Sequence, residues 1–155
     1  MKRFAVFVAT AGYSGYFPIA PGTVGSAVGL VVFAVLRFAG AGPLAEAVTI
    51  LALFVLGTWA STSAESHFGK KDPGPVVIDE VVGQLITLMW LPVGVAGAVV
   101  GFLLFRLADI VKPWPANRLE DLRAGLGIMS DDAMAGLYSH LALRVVVWMF
   151  PVLIA

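Results

Sequence analysis

The chain has 155 residues, enough for one domain or one compact membrane unit. It is 59% hydrophobic and 13% charged, with a mean hydropathy of +0.93, where a soluble domain carries about 25% charged residues. A water-soluble globule of this composition would lack the polar surface to cover itself. The zero net charge gives no basic surface for nucleic acid, and the absence of cysteine excludes disulfides, thiolate metal sites and cysteine nucleophiles.

The N-terminus, Lys2-Arg3 followed by an apolar run and Ala9-Thr10-Ala11, imitates a signal peptide. It falls short of the usual ~15–30 residues and is expected to be retained. Pro18-Ile19-Ala20-Pro21-Gly22-Thr23-Val24-Gly25-Ser26 then leads into a long apolar stretch. Pro and Gly fix a turn, and Thr23 or Ser26 is expected to cap a helix through its hydroxyl. The free N–H groups of such an end suit a phosphate, although an ordinary capped helix has the same sequence pattern.

Residues 24–41 and 44–63 are each close to the ~20 residues that cross a bilayer, and only Gly42-Pro43 separates them. They read as a helical hairpin with both outer ends on one side. Lys70-Lys71-Asp72-Pro73 follows, then Ile78-Asp79-Glu80-Val81-Val82-Gly83. Asp79 and Glu80 stand at the lip of an apolar run, where carboxylates are costly unless a cation or hydrogen bonds compensate. Acids on a helix N-terminus that point to water are the alternative.

The stretch 81–105 is interrupted at Leu91-Pro92-Val93-Gly94, and is expected to form a re-entrant hairpin of two short helices rather than one span. In Phe105-Arg106-Leu107-Ala108-Asp109-Ile110-Val111-Lys112-Pro113-Trp114-Pro115, Arg106 and Asp109 share a helix face, as do Asp109 and Lys112. That spacing suits either a salt-bridge ladder or an acid for a metal beside cations for a phosphate. Gly127-Ile128-Met129-Ser130-Asp131-Asp132 precedes the last apolar stretch, 133–155, which carries Arg144. The adjacent Asp131 and Asp132 fit a divalent-cation site or a helix N-terminus favoured by the macrodipole. Arg144 should face the bundle and pair or snorkel, and His67 and His140 read as solvent-facing or satisfied side chains.

The basic residues cluster at Lys2-Arg3, Lys70-Lys71 and 106–123, which places the N-terminus and both long polar segments on the cytoplasmic side. Threaded this way, Asp72, Asp79, Glu80, Asp109, Asp131 and Asp132 reach one face. An all-α, multihelical integral membrane protein, one domain over 1–155, is expected.

Taken in order, Ala20-Pro21-Gly22-Thr23-Val24-Gly25-Ser26, Asp72-Pro73 with Ile78-Asp79-Glu80-Val81-Val82-Gly83, the 105–115 segment, and Gly127 to Asp132 with Ala135-Gly136 resemble the phosphatidylglycerophosphatase A family. The resemblance spans nearly the whole chain. One departure is Ala108, where the family more usually has a bulky residue. The resemblance implies a Mg²⁺-dependent phosphatase of the bacterial cytoplasmic membrane that hydrolyses phosphatidylglycerophosphate at its cytoplasmic face. Asp79, Asp131 and Asp132, with Asp109, then become the catalytic candidates, and Asp79, Glu80, Asp131 and Asp132 the metal ligands. Gly22, Thr23, Gly25, Ser26, Arg106 and Lys112 would hold the phospholipid phosphate. Hard oxygen ligands and charge neutralisation on a transferring phosphoryl group suit that chemistry. A histidine-nucleophile lipid phosphatase is disfavoured, because His67 and His140 lack its paired context. A small helical cation transporter or channel is the alternative, and it requires acids spread along a path.

Overall fold

The apolar stretches fold as helices in the computed structural model, which describes residues 2–154 and has no strand among them. In chain order these are α1 (Lys2–Ala9), α2 (Pro21–Phe38), α3 (Pro43–Phe68), α4 (Ile78–Leu88), α5 (Val95–Val111), α6 (Ala116–Leu119) and α7 (Gly125–Met149). Pro21 and Pro43 each occupy the first turn of their helix, where a missing N–H costs nothing. Gly69 ends α3 in the left-handed conformation.

α2 and α3 are long and apolar enough to cross a bilayer, and at 18 residues α2 is about 27 Å long. They run antiparallel, yet they do not form the packed pair that a two-residue turn suggests. Instead α4 lies at the centre, against α2, α3, α5 and α7. Glycines on α2 make room for it: a Cβ at Gly25 would strike Val77, and one at Gly29 would strike Gln84. Nine of the eleven residues of α4 are buried, so this short helix is the core around which the longer ones assemble.

The helix break inside 81–105 is present between Leu88 and Val95. The Trp90 indole donates to the Pro43 carbonyl (3.1 Å), and the Trp90 N–H donates to Glu46 Oε2 (2.8 Å). Gly94 N–H bonds the Leu153 carbonyl (3.0 Å). The α2–α3 turn, the α4–α5 turn and the end of the described chain therefore meet at one end of the molecule, and the polar segments lie at the other. Of the two helices that flank the break, α4 is short and α5, at 17 residues, is not.

At the polar end, α1 packs on α3, and the Val77 N–H bonds the Ala9 carbonyl (2.9 Å). Ala9, in the segment that imitates a cleavage site, is fully buried. α7 begins six residues before Asp131, earlier than the sequence pattern suggests. Asp131 and Asp132 thus lie inside the helix, beyond the first turn where the macrodipole acts, so they are not N-terminal capping acids. His140 Nδ1 lies 3.2 Å from the Thr87 carbonyl, Arg144 Nε donates to His140 Nε2 (2.8 Å), and His67 is exposed.

Candidate active site

Helices α4, α5 and α7 carry the clustered acids, and α4 and α7 bring theirs together through one close crossing. α4 and α7 run parallel and meet at Gly83 and Gly136. A Cβ on Gly136 would come within 2.5 Å of the Gly83 carbonyl oxygen, and one on Gly83 would strike the Phe105 ring and the Asp132 carbonyl. Asp79 precedes Gly83 by four residues and Asp132 precedes Gly136 by four, so each acid sits one turn before the crossing on the facing surface. Thr87, four residues beyond Gly83, donates to the Gly83 carbonyl (2.9 Å) and lies 3.4 Å from that of Gly136. The crossing is thereby tied below the acids.

Asp79, Glu80 and Asp132 each offer a carboxylate oxygen, and the three oxygens lie within 4.8 Å of one another. Asp79 and Asp132 are buried. Asp79 Oδ1, Glu80 Oε2, Asp131 Oδ1 and Asp132 Oδ2 have no hydrogen-bond partner, although each is enclosed. Orphaned buried carboxylate oxygens are expensive, and a hard divalent cation is the group that satisfies several of them at once. The donor set fits Mg²⁺ or a similar ion.

Asp131 and Asp132 are consecutive on α7 and point about 100° apart. Asp132 faces α4, while Asp131 accepts a 2.6 Å hydrogen bond from Lys112 Nζ. Glu120 Oε2 accepts a second bond from Lys112 (3.1 Å). Burial alone would lower the Lys112 ammonium, but its bonds to Asp131 and Glu120 outweigh that and hold it above its ordinary value. Lys112 ends α5 in the left-handed region (φ 46°), which turns the chain away from the helix at that point.

Arg106 Nη1 donates to Asp109 Oδ2 (2.6 Å) and lies 3.4 Å from Ser26 Oγ. Apart from Ser26, which is fully enclosed, these groups line a cavity of about 270 Å³ at the polar end, whose lining includes Gly22, Asp72, Asp79, Glu80, Arg106, Asp109, Lys112, Asp131 and Asp132. Ala20, Asp72 and Lys112 all line it with positive φ (49°, 46° and 46°). Backbone held in this less favoured region collects at functional sites.

Gly22 sits where a Cβ would collide with Glu80 Oε1 and crowd the Arg106 guanidinium. Ser26 is fully buried and bonds back to the Gly22 carbonyl (2.9 Å). The α2 N-cap is Ala20, with no side-chain cap, so neither Thr23 nor Ser26 caps the helix as its sequence suggests. The left-handed Ala20 turns the chain there and leaves no hydroxyl in position. Thr23, Gly25 and Ser26 lie outside the cavity lining; Gly25 is instead the point where α2 touches Val77 and Glu80.

Lys71, from the basic pair before Asp72, also lines the cavity, as does Glu120, which no sequence motif marks. Glu120 follows Lys112 by eight residues across a proline-rich linker, so no helical spacing could pair them; charge complementarity was the one available signal.

A family model described as phosphatidylglycerophosphatase A matches residues 7–147. A Bacteroides thetaiotaomicron protein is 36% identical over 158 residues, covering 96% of this chain and 98% of its own; its name provisionally assigns it phosphatidylinositol-3-phosphatase activity. The phosphatidylglycerophosphatase A of Escherichia coli K12 is 35% identical over 128 residues, covering 81% of this chain and 73% of its own. That of Haemophilus influenzae is 34% identical, covering 81% and 78%. No solved structure matches. The chain belongs to the phosphatidylglycerophosphatase A family, whose members are phosphoric monoester hydrolases.

Proposed function

We propose that this chain is a Mg²⁺-dependent phosphatase that hydrolyses phosphatidylglycerophosphate to phosphatidylglycerol and phosphate at the cytoplasmic face of a bacterial membrane. The observation that carries this reading is the trio of orphaned carboxylates beside Arg106 and Lys112 in one cavity, at one end of an apolar bundle. Asp79, Glu80 and Asp132 would hold the ion. When bound, Mg²⁺ neutralises phosphoryl charge and makes a water more acidic. Arg106 and Lys112 orient the phosphate oxygens, and Asp109 and Ser26 hold Arg106 in place. Lys112 occupies Asp131 Oδ2, leaving Oδ1 to accept a proton from the attacking water.

Membrane insertion is supported by outward apolar rows on α3 (Val48, Leu51, Val55), α5 (Val99, Leu103, Leu107) and α7 (Leu141, Val145, Trp148), all exposed. Exposed Tyr13, Tyr16 and Trp114 at the polar end and Trp90 at the other suit the two interfaces. Basic residues crowd the polar end, which favours a cytoplasmic site. A cation channel suits this chain less well. It needs polar groups along its length, whereas the acid farthest from the site, Glu46, is engaged by Trp90 and Arg37.

The test is phosphate release by purified protein from phosphatidylglycerophosphate, with and without Mg²⁺. Release that a chelator abolishes is expected, and no release from folded protein would overturn the proposal. The Bacteroides relative makes phosphatidylinositol 3-phosphate the second substrate for the same assay.

A further inference from the structure

An apolar groove of about 320 Å³ lies between α5 and α7 on the outside of the bundle. Small residues form its floor: Ala108 on α5, with Ser139 and Ala142 on α7. The Ser139 hydroxyl is already spent on the Ala135 carbonyl (2.8 Å), so the floor offers no free polar group there. A groove of that volume has room for a run of methylenes.

The groove and the polar cavity are lined by neighbouring residues of the same two helices. On α5, Ala108 and Val111 line the groove, and the residues immediately after them, Asp109 and Lys112, line the cavity. On α7, Tyr138 and Ala142 follow Asp131 by seven and eleven residues, which puts all three on one face. The Tyr138 hydroxyl donates to the Trp114 carbonyl (3.0 Å) and pins the linker after Lys112 over the upper end of the groove. Leu107 and Val111 on its lip are both more than 60% exposed, so it opens sideways, toward whatever surrounds the apolar belt.

We infer that this groove holds one acyl chain of the phospholipid substrate while the phosphate occupies the cavity beside Lys112. The inference rests on the lipid-phosphatase reading above and adds a route to it. The lipid arrives laterally between α5 and α7 without leaving the bilayer, and Ala108 and Ala142 set how much chain is accepted.

The test uses a phosphatidate with a mid-chain diazirine, in phosphatidylcholine nanodiscs without Mg²⁺, followed by photolysis and mapping of labelled residues. Labels are expected at Leu104, Ala108, Tyr138 and Ala142 in preference to Val99, Leu103 and Val145, and Ala142→Phe should move them out of the groove. A phosphatidylcholine probe should label the belt evenly; the same even pattern from the phosphatidate probe would overturn the inference.

Kinetics give an independent arm. Ala142→Phe should lower the preference for diacyl over deacylated substrate about tenfold, what displacing roughly two methylenes from apolar contact costs, whereas Leu141→Phe should not. An unchanged preference counts against the groove. Groove labelling by a protein that hydrolyses neither lipid would keep the groove and sink the phosphatase reading; hydrolysis with even labelling would sink the groove alone.

Discussion

Asp131 and Asp132 are chain neighbours with different partners, and that difference predicts different defects. Asp132 shares its oxygen cluster with Asp79 and Glu80, so Asp132→Asn should raise the Mg²⁺ concentration for half-maximal activity at least tenfold. Asp131 is bonded to Lys112, so Asp131→Asn should leave that concentration nearly unchanged while kcat falls about 10²–10⁴-fold, the usual span for a lost proton acceptor. Mg²⁺ titrations of initial rate separate the two; equal shifts in both variants would show that the acids act as one ligand set. The pair was legible in the sequence as an acidic anomaly in an apolar chain. Its division of labour was not, because which way each side chain points depends on where α7 begins.

At the scale of elements, the Gly83–Gly136 crossing decides whether the acids meet. A methyl group at Gly136 would press on the backbone of Gly83, which cannot swing aside as a side chain can. Gly136→Ala should therefore destabilise the protein by about 1–3 kcal/mol and also reduce activity, because the strain parts α4 from α7 just below Asp79 and Asp132. Gly42→Ala meets nothing within 4 Å and should change stability by less than about 0.5 kcal/mol. Thermal unfolding in one detergent, alongside rate measurements, compares them. Apolar stretches and the Pro92–Gly94 interruption gave the helices and the break from sequence. The glycines stood out as motif residues, but a close helix approach is a tertiary property that no single helix's periodicity reveals. For the same reason the sequence shows α2 and α3 as a hairpin but not that Gly25 and Gly29 turn α2 toward α4.

Across the whole molecule, the two ends differ in chemistry and should differ in exposure. The sequence contains no cysteine, so Lys70→Cys at the polar end and Gly42→Cys at the other each provide one thiol. An impermeant maleimide should label Lys70→Cys only in inverted membrane vesicles and Gly42→Cys only in right-side-out ones. Labelling of both from one side would mean that the bundle does not span. At the far end, Glu46→Gln keeps one acceptor for Trp90 but removes the charge near Arg37 (3.8 Å). It should lower stability by about 1 kcal/mol with kcat unchanged, since the site lies at the opposite end.

The parallel pairing of α4 with α7 also constrains the order of assembly. Asp79, Glu80, Gln84 and Thr87 all belong to an eleven-residue helix that a ribosome releases well before Gly136 and Asp132 exist. Until α7 arrives, the carboxylates of α4 lack the Asp132 oxygen that completes a cation site and its glycine face lacks a lid, and hydrocarbon is a poor solvent for both. Topogenesis should thus hold α4 near the aqueous boundary and commit it last, although it is made third among the five long or central helices. A nascent chain arrested before Gly125 should leave Asp79→Cys open to aqueous thiol reagents, and release of the complete chain should close it.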